Sequence, residues 1–365
     1  MKKKIDMAFW CKNCLNMSTR PRITFDSSQV CNACNWSNEK KKINWTKRML
    51  QFDNLKKDIK SKKSDFDVIV PVSGGKDGSY VTEQMIQNGL KPLCITVNPP
   101  LRTELGFKNI ENFKKNNLSL YEINLPYESH RSLNKFGFLN HGRPLYGWVI
   151  GIFTAVIKTA QEKNIKLIMY GEDGEAEYGG STYLKEKSFF TPNFIKNIYF
   201  EKKYEDTIKH AKKFDMHWWL FNNSKIKLSH WSYYENWDSY RNYLVAKNKY
   251  GLEEKKDKNT ATYTNFGQND THLYDLHCYL MYLKFGFGRC TQDIGIDIRR
   301  GAMSRDQGIQ LAKIYDNEFP EEKIPLYLDY FQISQKQFDK TIEKFVNKSL
   351  FKKVGKRWKT KYKII

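Results

Sequence analysis

Residues 68 to 80 read VIVPVSGGKDGSY, a β-branched run that enters two glycines, a lysine and an aspartate. The run is continuous, not alternating, as expected for a central strand of a parallel sheet covered on both faces. Two glycines let the backbone turn sharply with its N–H groups facing a concavity. A helix expected to begin near Gly78 adds its positive end, so the turn reads as an anion site at the carboxyl end of a strand. The Walker form is excluded, because Val70 stands where its first glycine belongs and Asp77 follows Lys76. The dinucleotide fingerprint fails as well, since Lys76 would have to be glycine.

Outward from this loop the rhythm is strand, helix, strand. SYVTEQMIQNG reads as a helix closed by Gly89, and PLCITVN as the next strand. A helix near 104–116, the strand SLYEINL, an apolar helix over 144–163 and the strand KLIMYGE follow. Such alternation predicts an α/β fold with a doubly wound parallel sheet and right-handed crossovers. After about residue 180 the text turns aromatic, basic and helical. The expected division is a cysteine-rich unit and connector over 1–50, an α/β domain over 51–205 and a mainly helical region over 206–365. The segment 39–64 reads as a basic amphipathic helix or connector with Ile43, Trp45, Met49, Leu50, Phe52, Leu55 and Ile59 as its apolar positions. No internal repeat or low-complexity stretch is visible.

The net charge of +22 over 365 residues favours an anionic partner without choosing one. The apolar run Leu145–Ile157 is too short for a membrane helix and reads as a buried helix. The opening MKKKIDMAFWC lacks an apolar core behind its lysines, so no signal peptide is expected and the expected compartment is the cytoplasm.

Four of the seven cysteines form two pairs, Cys11 with Cys14 and Cys31 with Cys34, in the spacing of a zinc ribbon. Disulfides do not suit a reducing compartment, while an iron–sulfur site stays open from spacing alone. Four thiolates would fill the coordination sphere of Zn2+, so the expected role is structural.

SGGKDGS resembles the SGGxDS loop of the ATP pyrophosphatase (PP-loop) enzymes, with Gly78 as an insertion that leaves either Gly78 or Ser79 in the family serine's place. The four-cysteine head, this loop, GEDGEAEYGG (171–180) and KFGFGRCTQDIGIDIRRGAMSRDQG (284–308) together resemble the N-acetyl sugar amidotransferases of bacterial surface-polysaccharide and nonulosonate pathways, over nearly the full length. The resemblance implies a HUP-like sheet and a reaction with ATP and Mg2+. In it the acetamido oxygen of an N-acetylated sugar, acidic or nucleotide-linked, is adenylylated and then replaced by ammonia to give an acetamidino group.

On this reading the backbone of Ser73, Gly74, Gly75, Lys76, Asp77, Gly78 and Ser79, with the Ser73 and Ser79 hydroxyls, holds the pyrophosphate portion of ATP. Lys76 is a charge partner, with a side chain pointing outward as the alternative, and Asp77 either caps the helix or helps hold Mg2+. Thr96, Val97 and Asn98 at the end of the second strand, with Gly171, meet the adenine or ribose. Glu172, Asp173, Glu175 and Glu177 fall near the same sheet edge. An acidic helix start is the plain account, but the resemblance suggests a role in Mg2+ binding or amide orientation, with Glu172 and Glu177 foremost. Asp77, Glu172, Glu177 and Arg289 form the expected catalytic set. Lys284, Arg299, Arg300 and Arg305 are expected to hold phosphate or the sugar's carboxylate, with surface charge as the plain alternative.

The ammonia source is expected to be another chain. Lys2 stands where an N-terminal cysteine nucleophile would be needed, and Cys94, Cys278 and Cys290 read as buried small hydrophobes. The resemblance implies a separate glutaminase and a cyclase-like ammonia-channel subunit. The alternative is a PP-loop tRNA-modifying enzyme, thiolating or lysine-adding. A non-catalytic zinc-ribbon nucleic-acid binder would leave the loop unexplained, so nucleic acid is not the expected partner.

Overall fold

The computed structural model describes residues 8–60, 64–200, 226–355 and 357–364. Lys2 and the boundary expected at 205/206 lie outside these residues.

Chain order begins with α1 (Asn32–Lys40) and α2 (Trp45–Ile59). The sheet is built from β1 (Val68–Pro71), β2 (Pro92–Val97), β3 (Leu120–Ile123), β4 (Leu167–Tyr170) and β5 (Lys227–His230). All neighbours are parallel in the order β3-β2-β1-β4-β5. The chain builds outward from β1 to β3, then returns to β4 on the other side of β1. A crevice therefore opens where β1 and β4 part, beyond their carboxyl ends. The loop at Ser73–Gly75 and the segment from Gly171 are the two lips of that crevice.

Strand alternation divides the core. Val68, Val70, Cys94, Leu167 and Met169 face α2 and α3 (Lys76–Gln87), while Ile69, Leu93, Ile95 and Ile168 face α6 (Tyr146–Glu162). β1, β2 and β4 thus bury apolar side chains on both faces, which accounts for the continuous apolar run VIVPV. Between α3 and α6 lie α4 (Glu104–Lys114) and α5 (Tyr127–His141). Among the described residues no helix is long and apolar enough to cross a membrane.

Beyond β4 come the short α7 (Gly174–Tyr178) and α8 (Pro192–Ile195), then α9 (Ser239–Tyr250), which packs on α3. The C-terminal region holds α10 (Leu273–Phe285), α11 (Arg289–Arg299), α12 (Arg305–Tyr315), α13 (Ile324–Phe331) and α14 (Gln335–Phe345). They share a core with Trp10, Leu15 and Met17 of the cysteine-rich head and with Phe138 and Leu145.

Several elements differ from expectation. The division expected at residue 50 falls inside α2, whose Phe52, Leu55 and Ile59 pack against the sheet, while Leu50 is exposed. The sheet takes a fifth strand from 227–230, beyond the expected end of the α/β domain. α5 has few buried apolar side chains and buries His130 and Asn134 with them, so its period is weak in the sequence. The lysine-rich tail forms an antiparallel hairpin, β6 (Phe351–Val354) with β7 (Arg357–Thr360).

Candidate functional site

The loop after β1 turns at Gly74, whose φ of +75° suits glycine. A Cβ there would lie 2.7 Å from the Asn109 carbonyl carbon, so α4 presses directly on the turn. α3 starts at Lys76 with Gly75 as its N-cap, two residues before the expected start. Asp77 therefore sits inside the first turn and is not the cap. A Cβ on Gly78 would come within 2.9 Å of Val72 Cα, so that position has no room for a side chain. Gly78 lines the crevice, whereas Ser79 is buried and its Oγ donates to the Gly75 carbonyl at 2.8 Å. The hydroxyl expected on the phosphate is thus spent inside the helix, and the loop offers only that of Ser73.

Two cavities meet at this loop. One, of about 390 Å³, is charged, with Lys76, Arg289 and Arg300 beside Asp77, Glu172, Asp293 and Asp297. The other, of about 410 Å³, is largely apolar, formed by Ile95, Val97, Ile110, Trp148, Ile152 and Val156 at the ends of β1 and β2. Ser73, Asp77, Gly78, Glu172 and Asp270 line both. Thr96 and Gly171 also line the apolar cavity. The Asn98 side chain is engaged elsewhere, donating to Asn124 Oδ1 at 2.7 Å and accepting from Arg102 at 3.1 Å.

Lys76 Nζ pairs with Asp77, and Asn242 Nδ2 on α9 donates to Asp77 Oδ1 at 3.3 Å. Burial alone would lower the Lys76 pKa, but Asp77 and Glu172 together hold it above the usual value. Burial, reinforced by the Asp77 charge and opposed by Lys76, pushes Glu172 up to about 7. A carboxyl that changes charge near neutrality thus faces the cavities' shared wall.

The other acidic residues of 172–177 turn away. Asp173 caps α7, its side chain accepting from Glu175 N at 3.2 Å. Glu175 takes a two-pronged contact from Arg22 at 2.8 and 2.7 Å. Glu177 is buried, receiving Lys40 Nζ at 2.8 Å and Trp36 Nε1 at 3.2 Å. Its expected catalytic place is therefore corrected: Glu177 binds α7 to the cysteine-rich head.

The late motif divides in the same way. Arg289 is buried, with one Nη donating to the Gly267 carbonyl at 2.6 Å and Nε without a hydrogen-bond partner. Burial, which alone would lower its pKa, is outweighed by Asp293 nearby. Arg300 lies at the rim of the charged cavity, its Nε donating to Asp297 at 2.8 Å. Three expected phosphate ligands lie elsewhere. Lys284 donates to the carbonyls of His141 and Gly142 at 2.6 and 2.9 Å at the end of α5. Arg299 donates to the Glu177 carbonyl at 2.7 Å, and Arg305 Nε to those of Cys11 and Cys14 at 3.3 Å.

Sequence reasoning missed the cavity residues of 263–270 and those of α9. Nothing in their residue types marks them, since Thr, Asn and Tyr carry no spacing signature. Asp293 and Asp297 were missed as well, although the helical spacing of Arg289, Asp293, Asp297 and Arg300 on one face of α11 and its cap is a signal that could have found them.

The four cysteine sulfurs lie within 4.8 Å of one another, all buried, and among the described residues they are the group suited to a metal. Cys11 to Cys34 is 3.8 Å and Cys14 to Cys31 is 3.7 Å. A tetrahedral ion with Zn–S bonds of about 2.3 Å places its sulfurs about 3.8 Å apart, so the residues fit Zn2+. Asn16 N and Nδ2 donate toward Cys14 and Cys31 sulfur at 3.4 Å, and Cys31 N toward Cys11 sulfur at 3.2 Å, contacts suited to thiolates. Cys94, Cys278 and Cys290 are buried, and burial raises the thiol pKa of each, as expected of inert packing residues.

Residues 260–364 match the family model described as "LPS biosynthesis protein WbpG-like, C-terminal domain". No curated protein matches the chain. Among solved structures, the NMN synthetase from Francisella tularensis is similar at 14% identity with a TM-score of 0.29. That match covers 37% of this chain and 57% of the synthetase, so the chain spans little more than half of that relative's length.

Proposed function

We propose that this chain is an ATP-dependent amidotransferase of surface-glycan synthesis, which converts an acetamido group of an N-acetylated sugar to an acetamidino group. One observation carries the reading: an apolar cavity and a charged cavity share a wall at a phosphate-type loop. A nucleoside in the first and an acceptor in the second would meet at the α-phosphorus. The match of residues 260–364 to a lipopolysaccharide-synthesis domain supports a glycan acceptor, because that segment supplies Arg289, Asp293 and Asp297 to the acceptor side.

An amide carbonyl is a poor electrophile and its oxygen a poor leaving group. Attack of the amide oxygen on the α-phosphorus forms the O–P bond and expels pyrophosphate. Ammonia adds to the activated carbon, the C–O bond breaks with departure of AMP, and a proton is released as the amidinium forms. The chain's contribution is positioning and charge neutralisation. Loop N–H groups, the Ser73 hydroxyl and Lys76 hold the leaving pyrophosphate, Arg289 and Arg300 face the acceptor, and Glu172 orients the reacting amide. Mg2+ would be held by Asp77 and Glu172 with the phosphates, in keeping with an ion that commonly takes one or two carboxylates. It would neutralise phosphate charge. Zn2+ in Cys11, Cys14, Cys31 and Cys34 would be structural. Ammonia would come from a separate glutaminase through a channel subunit.

The test is purified protein with ATP, Mg2+, ammonia and N-acetylated sugars, read by AMP and pyrophosphate release and by mass spectrometry. The expected result is sugar-dependent release of both, with the acetamido oxygen replaced by NH. Asp77→Asn is expected to lower turnover about a hundredfold at temperatures where the variant is still folded. Salt-sensitive tRNA binding with no sugar-dependent AMP would contradict the reading and favour a tRNA-modifying enzyme.

A further inference from the structure

The apolar cavity contains a polar pair that the proposed reaction leaves idle. Arg102, on the loop after β2, donates through Nη1 to Asn98 and lies over the Phe107 ring at 5.0 Å. Its Nη2 is buried without a hydrogen-bond partner, and Arg102 is the one cation among the described residues lining this cavity. A buried donor left unmet is costly, so a native structure that keeps one implies a missing acceptor.

Asp270 reaches the same cavity from far along the chain. Arg102 and Thr271 form an antiparallel bridge, Thr103 N donates to the Asp270 carbonyl at 3.1 Å, and His272 N donates to the Leu101 carbonyl at 3.0 Å. Gly106 is required by this crossing, since a Cβ there would lie 2.6 Å from Asp270 Cα. Leu101 is held at a φ of +46°, a conformation leucine rarely adopts and which this crossing enforces. The segment is thus fixed in place, with Asp270 lining both cavities. Burial raises its carboxyl pKa, against the opposing pull of Arg289 and Arg102.

With a base in the apolar cavity and phosphates at the loop, the ribose lies between them, along the wall that Asp270 lines. A carboxylate there repels phosphate but accepts from a hydroxyl. We propose that Asp270 and Arg102 are nucleoside-specificity residues. Asp270 accepts a hydrogen bond from a ribose hydroxyl, and Arg102 Nη2–H donates to an oxygen or ring nitrogen of the same nucleoside. The inference rests on the ATP-site reading and extends it to a region the phosphate loop does not touch.

The test is calorimetric titration of the full chain, with Mg2+, against ATP, 2′-deoxy-ATP and 3′-deoxy-ATP. The wild type is expected to prefer ATP over at least one deoxy form by about tenfold. Asp270→Ala should erase that preference, and the near-isosteric Asp270→Asn should reduce it. Arg102→Ala should weaken all three nucleotides alike, with partial recovery in Arg102→Lys. The preference is a ratio within one protein, so a general loss of stability does not mimic it. Retention of the full preference in Asp270→Ala, or equal binding of the three nucleotides by the wild type, would overturn the proposal while leaving the ATP site intact. Absence of ATP binding in the wild type would sink the ATP-site reading and this inference together.

Discussion

The cysteine-rich head and the crevice loop use the same residue types to opposite ends. At the head the carboxylates named above are closed by cations, Glu175 by Arg22 and Glu177 by Lys40, while Arg305 and one Nη of Arg299 meet backbone carbonyls and the other Nη of Arg299 has no partner. Around the loop, polar groups stand with demands unmet, as at Arg102 Nη2, Arg289 Nε and the titratable Glu172. A carboxylate closed by a cation holds a fold together, while one left to titrate on the wall of two cavities points to a ligand. Both kinds occur five residues apart, since Glu172 lies before α7 on the wall of the crevice and Glu177 lies within α7, against α1.

The largest effect is expected at the head. Cys31→Ser is expected to lower metal content and to cost about 5 kcal/mol or more in denaturant unfolding; equal stability with and without chelator would mean that no metal supports the head. Removing one partner of a buried pair costs about 3–5 kcal/mol, so Glu177→Gln should destabilise strongly, while the variant's affinity for ATP stays that of the wild type. A fall in ATP affinity without a fall in stability would return Glu177 to the active site.

Glu172 should show the opposite sign. Its pKa, raised from 4.5 to about 7, means the folded state keeps a proton that the unfolded chain releases between these values. The stability this carboxyl contributes is full below about pH 4.5 and is lost as the pH rises toward 7. Glu172→Gln should therefore unfold like the wild type at pH 4 and be more stable at pH 8, by at most about 3 kcal/mol, in denaturant titrations without nucleotide. Lys284→Ala is the smallest change expected. Loss of its hydrogen bonds to the end of α5 should cost about 1 kcal/mol and leave the KM for ATP unchanged.

Much of the fold was legible because it rests on repeated patterns. VIVPV, PLCITV and KLIMY are apolar on both faces and could only be inner strands. The fifth strand, Lys227–His230, reads KLSH in an aromatic and polar stretch, and pairing with β4, not its own sequence, makes it a strand. The loop and the cysteine pairs were legible from spacing. The partners of each charge were not, since Arg289, Arg299 and Arg305 look alike until α11 and the head are packed together.

In the proposed reaction the sugar's own acetamido oxygen attacks the α-phosphorus. The most direct measurement supplies an N-acetylated substrate labelled with heavy oxygen in the acetamido carbonyl, together with ATP, Mg2+ and ammonia, and follows the label by mass spectrometry. The label is expected in the phosphate of AMP, while the sugar leaves as the unlabelled acetamidino product. Unlabelled AMP, with the heavy oxygen retained on the sugar, would contradict it.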